Sequence, residues 1–407
     1  MKIYFIIPLV LYATLFSSFF LPDGDPHSYE DPPSHLRPII HTNFCVIADV
    51  FKSSSRVLTI PMMLHITPDY IGESLLRTVN SWDGRVVLAV YTDSSIRHPI
   101  HLHPSIEQTI RKLQQLFHCN PHLTEQVTVH IFYLATEQLN CEPFSIELSQ
   151  NITCENPFQL DKINYQKLLG YYPVNAARNI ARKFDTSACF VQADVQQVFS
   201  SGAEEKLRKA FDKYGKINNG QVAFIIPRFE SEKGTMIPRT IEQLEEVHDK
   251  TVFQFHAFSY PTAHNVTDIK KWLHTSSTTN SLISEITNYE DHNTPVWEPM
   301  FLAHSSLPFH NETIWYGMRN QAALVSLMCC LKYKFIIVNS VFNVHEGVRR
   351  IPFSRIVHPY ERIRAKKIIT AYYISLVTRY NDRATMCLGH LSYGLQGNQK
   401  RKTRSYE

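Results

Sequence analysis

An acidic residue follows a short apolar run near the middle of the chain. Phe190 and Val191 favour a strand, Asp194 comes just after them, and residues 200–202, Ser-Ser-Gly, are typical of a turn. An acid just past a buried strand lies at the carboxyl edge of a sheet, where open α/β sheets bind ligands. A carboxylate there can bind a divalent cation. The alternative is that Asp194 caps a turn at the end of the strand.

The segment before this strand has the spacing of an amphipathic helix. Its polar residues at i, i+3, i+4 and i+7 are Asn175, Arg178, Asn179 and Arg182. A second face is apolar and is predicted to pack on the sheet; it consists of Ala177, Ile180, Ala181 and Phe184. Asn175 is predicted to cap the helix. The polar face is either part of a ligand site or an ordinary solvated surface.

These segments together resemble the centre of glycosyltransferase family 49. The matching residues are Tyr172-Pro-Val-Asn175, Arg178-Asn-Ile-Ala181, the strand with Asp194, Trp297-Glu-Pro299 and Val344-His-Glu-Gly347. The family includes the β-1,4-glucuronyltransferase of α-dystroglycan glycosylation and the second catalytic domain of LARGE-type enzymes. The resemblance covers about residues 58–380. It implies a GT-A-type nucleotide-sugar-binding fold, which is α/β with a doubly wound, mostly parallel sheet.

The resemblance also implies a chemistry. Such an enzyme transfers glucuronic acid or N-acetylglucosamine from a UDP-sugar to a glycan or glycoprotein acceptor, with inversion at the anomeric carbon. In the family, an Asp-x-Asp triplet holds Mn²⁺ or Mg²⁺ on the sugar diphosphate; here the triplet is Asp194-Val-Gln196. The predicted metal ligands are therefore Asp194, Gln196 and His345, of which Gln196 is a neutral ligand that weakens the site.

Two alternatives to that metal site follow from the missing carboxylate. In the first, arginines stabilise the leaving group without a metal, and the candidates are Arg319, Arg349 and Arg350. In the second, catalysis is lost and the protein binds glycans or stabilises a partner.

Other roles fall on the remaining motif residues. Glu298 is predicted to be the general base that accepts the proton of the acceptor hydroxyl, and Trp297 is predicted to stack on a sugar ring. Glu312 is the alternative base, and a salt-bridged loop position is the alternative role for Glu298. Arg178 is predicted to bind the diphosphate or the uracil, because a guanidinium can bond two phosphate oxygens at once.

Composition excludes several function classes. The chain has 407 residues and a net charge of only +4, which does not indicate a nucleic-acid-binding surface. It has neither a Gly-x-Ser-x-Gly elbow nor a His-Glu-x-x-His motif, so the common hydrolase classes are not indicated. The predicted organisation is a signal anchor or signal peptide over 1–21, a stem over 22–38, a catalytic domain over 39–385 and a basic tail over 386–407.

The N-terminus predicts entry into the secretory pathway. Residues 3–21 carry no charge, and this run is either an uncleaved anchor or a cleaved signal peptide. Sequons at Asn151, Asn265 and Asn311 agree with a lumenal location. We expect a single-pass type II protein of the Golgi membrane, secreted if the run is cleaved, alone, as a homodimer or in complex with another glycosyltransferase.

Eight cysteines are expected to pair in part in an oxidising lumen. Cys141 with Cys154 is the most local candidate pair, whereas Cys189 and Cys329 are candidates for buried thiols. The strands predicted around the site cover 57–67, 85–91, 127–134, 221–226 and 335–338. The helices predicted cover 106–117, 204–214, 241–247 and 361–380, and the spacer 137–167 is predicted to be a surface excursion.

Overall fold

The computed structural model describes residues 32–55, 59–92, 104–135, 140–148, 151–155, 172–292, 296–316, 319–351 and 359–389. The predicted signal segment, most of the stem, most of the spacer and the end of the basic tail lie outside these residues. No helix in these ranges is both long and apolar enough to cross a membrane.

Strands and helices alternate along most of the described chain. The strands are β1 His35–Leu36, β2 Ile39–His41, β3 Phe44–Phe51, β4 Met62–Ile66, β5 Val86–Tyr91, β6 Val127–Leu134, β7 Phe144–Ser145, β8 Cys189–Gln192, β9 Gln197–Phe199, β10 Val222–Ile226, β11 Arg228–Ser231, β12 Val252–Gln254, β13 Ile283–Thr287, β14 Met300–His304, β15 Lys334–Val338 and β16 Asn343–Glu346. The α-helices are α1 Glu73–Val79, α2 Pro104–Cys119, α3 Leu123–Gln126, α4 Val174–Lys183, α5 Ala203–Tyr214, α6 Ile241–Val247, α7 Pro261–His264, α8 Ile269–Thr278, α9 Asn320–Cys330 and α10 Pro359–Leu388.

A ten-stranded sheet forms the centre of the fold, in the order β13-β15-β10-β14-β8-β4-β5-β6-β3-β2. Strands β8, β4, β5 and β6 are parallel neighbours, as are β10 and β15. The prediction of a mostly parallel sheet is nevertheless wrong, because the sheet is mixed. Strand β14 lies antiparallel between β10 and β8, and β3 and β2 add antiparallel strands at one edge.

The strands at the centre of this sheet are apolar because helices cover both faces. Strand β5, Val-Val-Leu-Ala-Val-Tyr, is buried over its first five residues, as expected for a parallel strand covered on both sides. Its residues alternate between two core clusters, one on each face of the sheet. Helix α4 packs its alanines and Ile180 into one of these clusters, as predicted.

A smaller sheet has four strands in the order β12-β11-β16-β9. Three of them directly follow strands of the large sheet along the chain. Strand β9 follows β8 after a four-residue turn, and β11 follows β10 after a single residue, Pro227. Strand β16 likewise follows β15 after residues 339–342. The chain thus passes three times from the carboxyl end of a strand in the large sheet into the small sheet, and these crossings bring polar residues to the same region.

Three disulfides tie the outer segments to the core: Cys45–Cys141, Cys119–Cys154 and Cys329–Cys387. The predicted pairing of Cys141 with Cys154 is therefore wrong, as is the buried thiol predicted at Cys329. Proximity in sequence misled the prediction, because the fold brings β3 and the end of α2 next to the spacer. Cys189 is a buried free thiol, as predicted, and so is Cys330.

The fold extends beyond both predicted limits of the catalytic domain. Strand β1, inside the predicted stem, pairs with β7, and Leu36 is buried. At the other end, helix α10, which was predicted to end at residue 380, breaks at Asn381 and then continues to Leu388, past the predicted domain limit at residue 385. The disulfide at Cys387 fixes the start of the predicted tail to helix α9.

Candidate active site

Asp194 lies just past the carboxyl end of β8, as the sequence predicts. The chain turns there into β9, and Gln196 adopts the left-handed conformation with φ of 69°. The turn is fixed from the neighbouring helix α1, because the backbone N–H of Gln196 donates to Oγ1 of Thr78 at 2.9 Å. Asp194 therefore has a rigid support at the junction of the two sheets.

The carboxylate of Asp194 is surrounded by three basic side chains. Nη2 of Arg228 lies 3.2 Å from Oδ2, Nη2 of Arg178 lies 3.5 Å from Oδ1, and Nε2 of His65 lies 3.3 Å from Oδ1. Burial raises the pKa of Asp194, but His65 and the two guanidinium charges lower it more, so this pKa lies well below its usual range. Asp194 is therefore ionised, and 40 % of its side chain remains exposed.

His65 is a neutral partner of this carboxylate. Burial lowers the pKa of His65, and its Nδ1 lies 2.9 Å from the hydroxyl oxygen of Tyr172. Because a carboxylate only accepts hydrogen bonds, the matching tautomer carries its proton on Nε2 and accepts from Tyr172 at Nδ1.

One face of the small sheet is polar and lies beside this ion cluster. Strand register places Arg228 and Glu230 of β11 next to Asn343 and His345 of β16, and His345 next to Gln197 of β9. Six of the eighteen buried polar side-chain atoms without a hydrogen-bond partner among the described residues belong to side chains of this region. They are Nε of Arg178, Nε of Arg228, Oε1 and Nε2 of Gln197, Oε1 of Glu230 and Oδ1 of Asn343. Such atoms are rare in folded proteins, and their concentration indicates a site that binds a polar ligand or water.

Glu298 lies within electrostatic reach of the same arginines. Burial raises the pKa of its carboxyl, while the backbone N–H of Ala322 and the charges of Arg178, Arg228 and Arg319 act in the opposite direction. Ala322 lies in the first turn of α9 and its N–H is 3.4 Å from Oε1. The backbone of Glu298 is held on both sides, since its N–H donates to Ala263 and its carbonyl accepts from His264.

Two further histidines connect this glutamate to the small sheet. Nδ1 of His256 lies 3.0 Å from Nε2 of His264, and Nε2 of His256 lies 3.5 Å from Oε1 of Glu230. Burial, first of all, lowers the pKa of His256 to about 2 and that of His264 to about 3, so both rings are neutral. Contacts thus run from Glu230 through His256 and His264 to the main-chain carbonyl of Glu298, and the two histidines are uncharged.

A sequence profile of the family described as "Glycosyl-transferase for dystroglycan" matches residues 59–381. The chain belongs to this family, glycosyltransferase family 49. The match covers most of the chain, including the small sheet, the large sheet except β2 and β3, and all six predicted site residues. The resemblance of the sequence motifs to family 49 is therefore confirmed.

A curated relative is the glycosyltransferase-like protein LARGE of Caenorhabditis elegans, which is 22% identical over 183 residues. These residues are 43% of this chain and 27% of the relative, so the chain matches about a quarter of that longer protein. Among solved structures, S. aureus TarS 1–349 in complex with UDP-GlcNAc has a TM-score of 0.40, with 9% identity over 82% of this chain and 71% of that one. The mannosyltransferase PcManGT from Pyrobaculum calidifontis, in complex with GDP-Man and Mn²⁺, has a TM-score of 0.39, with 13% identity over 86% and 72% of the chains.

Asp194, the carboxylate that the family pattern assigns to a metal, has cationic groups at both of its oxygens. Both oxygens of Asp194 already lie against cationic guanidinium groups, which repel a dication. In the described part of the chain, the one group of three His, Cys, Asp or Glu side chains whose ligand atoms lie within 4.8 Å of one another is Glu290, Cys329 and Cys387. Its two cysteines form a disulfide, so their sulfur atoms are not free thiolate ligands. Metal binding by Asp194, Gln196 and His345 stays a prediction.

The polar face of helix α4 is buried, not solvated. Asn179 donates to the carbonyl of His310 and to Oε1 of Glu312, and Arg182 donates to the carbonyls of Leu307 and Pro308. The cap predicted at Asn175 is wrong, because the N-terminal cap is Pro173. Asn175 instead accepts from Arg178, so this face orients the arginine toward Asp194.

Trp297 lies in the hydrophobic core. Its side chain has no exposed surface, its ring contacts Phe335 and Tyr289, and its indole N–H donates to the carbonyl of Asn265. A ring in this position has no free face for a sugar. Its role in this structure is to anchor the segment that carries Glu298.

Glu312, the alternative base, is tied to the N-terminal strands. Its carboxylate lies 2.7 Å from Nε2 of His41 and accepts from Oγ1 of Thr42 and from Asn179. Burial raises its pKa, but His41 and the other hydrogen-bond donors lower it more, so the net pKa of Glu312 is below the usual range. A carboxylate with these three partners is a weaker proton acceptor than Glu298.

The three arginines proposed for a metal-free site have different positions. Arg319 caps the N-terminus of α9 with φ of 54° and acts on the pKa of Glu298. Arg349 lies at the small sheet, where its backbone N–H donates to Oε2 of Glu230. Arg350 is exposed and pairs with Glu232, away from Asp194.

Sequence reasoning missed Arg228 as a site residue. A signal was available in the sequence. Arg228 and Glu230 are two positions apart just after a buried strand, and alternate residues share one face of a strand. The histidines at 256 and 264 gave no comparable signal, since the path of the chain between β12 and α7 brings their rings together.

Proposed function

We propose that this member of family 49 is an inverting glycosyltransferase with a GT-A-type fold. It transfers glucuronic acid or N-acetylglucosamine from a UDP-sugar to a hydroxyl group of a glycan or glycoprotein acceptor. The observation that carries the proposal is the convergence of Arg178, Arg228 and Asp194 at the carboxyl end of β8, within electrostatic reach of Glu298. Transfer from a sugar diphosphate needs positive charge near the leaving diphosphate and a proton acceptor for the attacking hydroxyl, and these residues can supply both.

In this proposal Glu298 is the general base. It accepts the proton of the acceptor hydroxyl while the oxygen of that hydroxyl forms a bond to the anomeric carbon of the donor sugar. The bond between that carbon and the diphosphate oxygen breaks on the opposite face, and the diphosphate leaves with the electron pair. Because this is a single displacement, the configuration at the anomeric carbon inverts.

Burial suits Glu298 to this role. A raised carboxyl pKa makes Glu298 a stronger base than an exposed glutamate, and the three arginines keep its ionised form accessible. The arginines favour the negative charge that develops on the leaving diphosphate, since fixed cations act strongly in a partly desolvated site.

Location in the Golgi lumen is part of the proposal. The uncharged run over 3–21 supports insertion into the membrane or export, and three disulfides among the described residues support an oxidising compartment. The sequon residues Asn151 and Asn265 are exposed, which suits modification by lumenal enzymes.

A specific observation favours a second candidate function. The residue at the second Asp-x-Asp position is Gln196, and Asp194 already has three partners, so the site is consistent with a catalytically inactive relative that binds glycans or stabilises a partner.

Release of UDP distinguishes the two functions. The purified lumenal chain is incubated with UDP-glucuronic acid or UDP-N-acetylglucosamine, with and without glycan acceptors, and free UDP is measured. Release of UDP that increases with acceptor supports the transferase. Binding of glycans without any release of UDP, from either donor, would show the inactive relative.

A further inference from the structure

We propose that Arg178 and Arg228 take the place of the divalent cation and bind the diphosphate of the donor directly, with Asp194 as the positioning residue that holds the two guanidinium groups. This inference rests on the proposed function and specifies how its donor is held. The arginine pair differs from Arg319, Arg349 and Arg350, which were the sequence-based candidates for a metal-free site.

The two guanidinium groups are held in place by contacts with the protein. Only 8% of the Arg178 side chain and 9% of the Arg228 side chain are exposed. Arg178 donates from Nη1 to the side chains of Asn175 and Asn320, and the guanidinium carbon of Arg228 lies 3.8 Å from the centre of the Phe255 ring. Stacking on an aromatic ring fixes the plane of a guanidinium and leaves its edge free to donate.

Both arginines have donors to spare. In the described part of the chain Arg228 makes one side-chain hydrogen bond, to Asp194, although a guanidinium has five N–H donors. Nε of each arginine is buried without a partner. A buried donor without a partner destabilises the site, so a ligand with several oxygen acceptors is favoured there.

The charges of the cluster favour an anion. Four arginines act on this region: Arg178 and Arg228 at Asp194, Arg319 at Glu298 and Arg349 at Glu230. The three carboxylates contribute at most three negative charges, which leaves at least +1 because His65 is neutral. The exposed part of Asp194 shows that the cluster reaches solvent.

A dication fits this cluster less well than an anion does. It would have to lie about 2.0–2.6 Å from a carboxylate oxygen, and each of these oxygens has a guanidinium nitrogen 3.2 or 3.5 Å away. Like charges at such separations repel strongly in a partly buried site. The second ligand position is a neutral amide at Gln196, which cannot offset that repulsion.

Calorimetric titration with UDP tests the inference on the whole lumenal chain. UDP is titrated in EDTA and in Mn²⁺, and uridine serves as the probe without phosphates. We expect UDP to bind in EDTA with an affinity close to that in Mn²⁺, and uridine to bind much more weakly. Binding should weaken with added salt, because guanidinium–phosphate attraction is screened.

Arginine variants assign the effect to residues. Arg228→Met and Arg178→Met should each weaken UDP binding in EDTA by roughly tenfold or more, since hydrogen bonds to charged groups are lost. Arg228→Lys keeps the charge and should retain part of the affinity. Arg85→Met is the matched control, because Arg85 forms a similar ion pair with Asp185 away from the site. This variant should bind UDP with the affinity of the parent.

The outcomes separate this inference from the proposed function. If UDP binds only in Mn²⁺, the diphosphate needs a metal and the inference is overturned, while the glycosyltransferase proposal stands. If UDP binds in neither condition, both are overturned. The comparison of EDTA with Mn²⁺ uses the unmodified protein, so it decides the question even if an arginine variant fails to fold.

Discussion

Nη2 of Arg228 lies 3.2 Å from Oδ2 of Asp194, and this contact joins the ends of two sheets. Asp194 follows β8 of the large sheet, whereas Arg228 begins β11 of the small one. Arg178 reaches the same carboxylate from helix α4. Asp194 therefore holds together three elements of the fold, in addition to any role toward a ligand.

This arrangement predicts that Asp194→Asn destabilises the protein. Loss of the charge leaves two nearly buried guanidinium groups without a counterion, and because Asp194 is partly exposed we expect a cost of only about 1–3 kcal/mol in the free energy of unfolding. Urea denaturation of parent and variant at neutral pH measures this difference. A variant as stable as the parent would show that the ion pairs contribute nothing.

The contribution of the Asp194 ion pairs to the free energy of unfolding should depend on pH. Because the folded-state pKa of Asp194 is depressed, its stabilising contribution is present above the unfolded pKa of about 3.9 and is lost as pH falls toward the lower folded value. The stability gap between parent and Asp194→Asn should therefore narrow as pH falls below about 4. A gap that widens there would contradict the assignment.

Glu298→Gln should abolish transfer while leaving UDP binding intact. An amide keeps the size of the side chain but cannot accept the acceptor proton, so we expect kcat to fall by roughly 10²–10⁴-fold. Glu205→Gln, on the exposed face of α5, is a control that should keep full activity.

The parent should also lose activity as the pH falls through the pKa of Glu298. Burial raises this pKa above the usual value of about 4.3, so the loss should begin at a higher pH than for an exposed glutamate. Unchanged kcat in Glu298→Gln would exclude this residue as the base.

The surroundings of Asp194 show which parts of the site the sequence predicts. The apolar run of β8, its polar end and the amphipathic helix before it were predicted, because each depends on local periodicity. The contacts of Gln192 with Gln321 and of Arg228 with Asp194 were not predicted, because each joins residues more than thirty positions apart in sequence. Local patterns carry no information on which distant strands become neighbours.

The sheet direction shows the same limit. Strands such as β10 and β14 have similar apolar sequences, and nothing in either one tells whether the pair is parallel or antiparallel. The motif around Trp297 predicts stacking on a sugar ring, whereas the structure places this side chain in the core. Its burial follows from the packing of Phe335 and Tyr289, which the motif alone does not show.

The disulfide between α9 and α10 should contribute strongly to stability. Cys329 and Cys387 are 58 positions apart, and closing a loop of this size stabilises by roughly 4 kcal/mol in the chain-entropy estimate. Cys387→Ala should lower the free energy of unfolding by a few kcal/mol (about 2–4). Cys330→Ala is the matched control, since Cys330 is the buried free thiol beside Cys329 and should cost less. Equal losses in the two variants would contradict a Cys329–Cys387 bond.

The last prediction concerns Gln196→Asp, which restores the second carboxylate of the family triplet. Aspartate tolerates the left-handed backbone found at this position, so the turn should survive the change. If Arg178 and Arg228 hold the diphosphate, an added negative charge near them weakens UDP binding at every Mn²⁺ concentration, because like charges repel. If a weakened metal site operates instead, the new ligand tightens UDP binding as Mn²⁺ rises. UDP affinity across a Mn²⁺ titration, for the parent, Gln196→Asp and the neutral Gln196→Asn, separates the two. A metal-dependent gain in Gln196→Asp alone would overturn the arginine-based site.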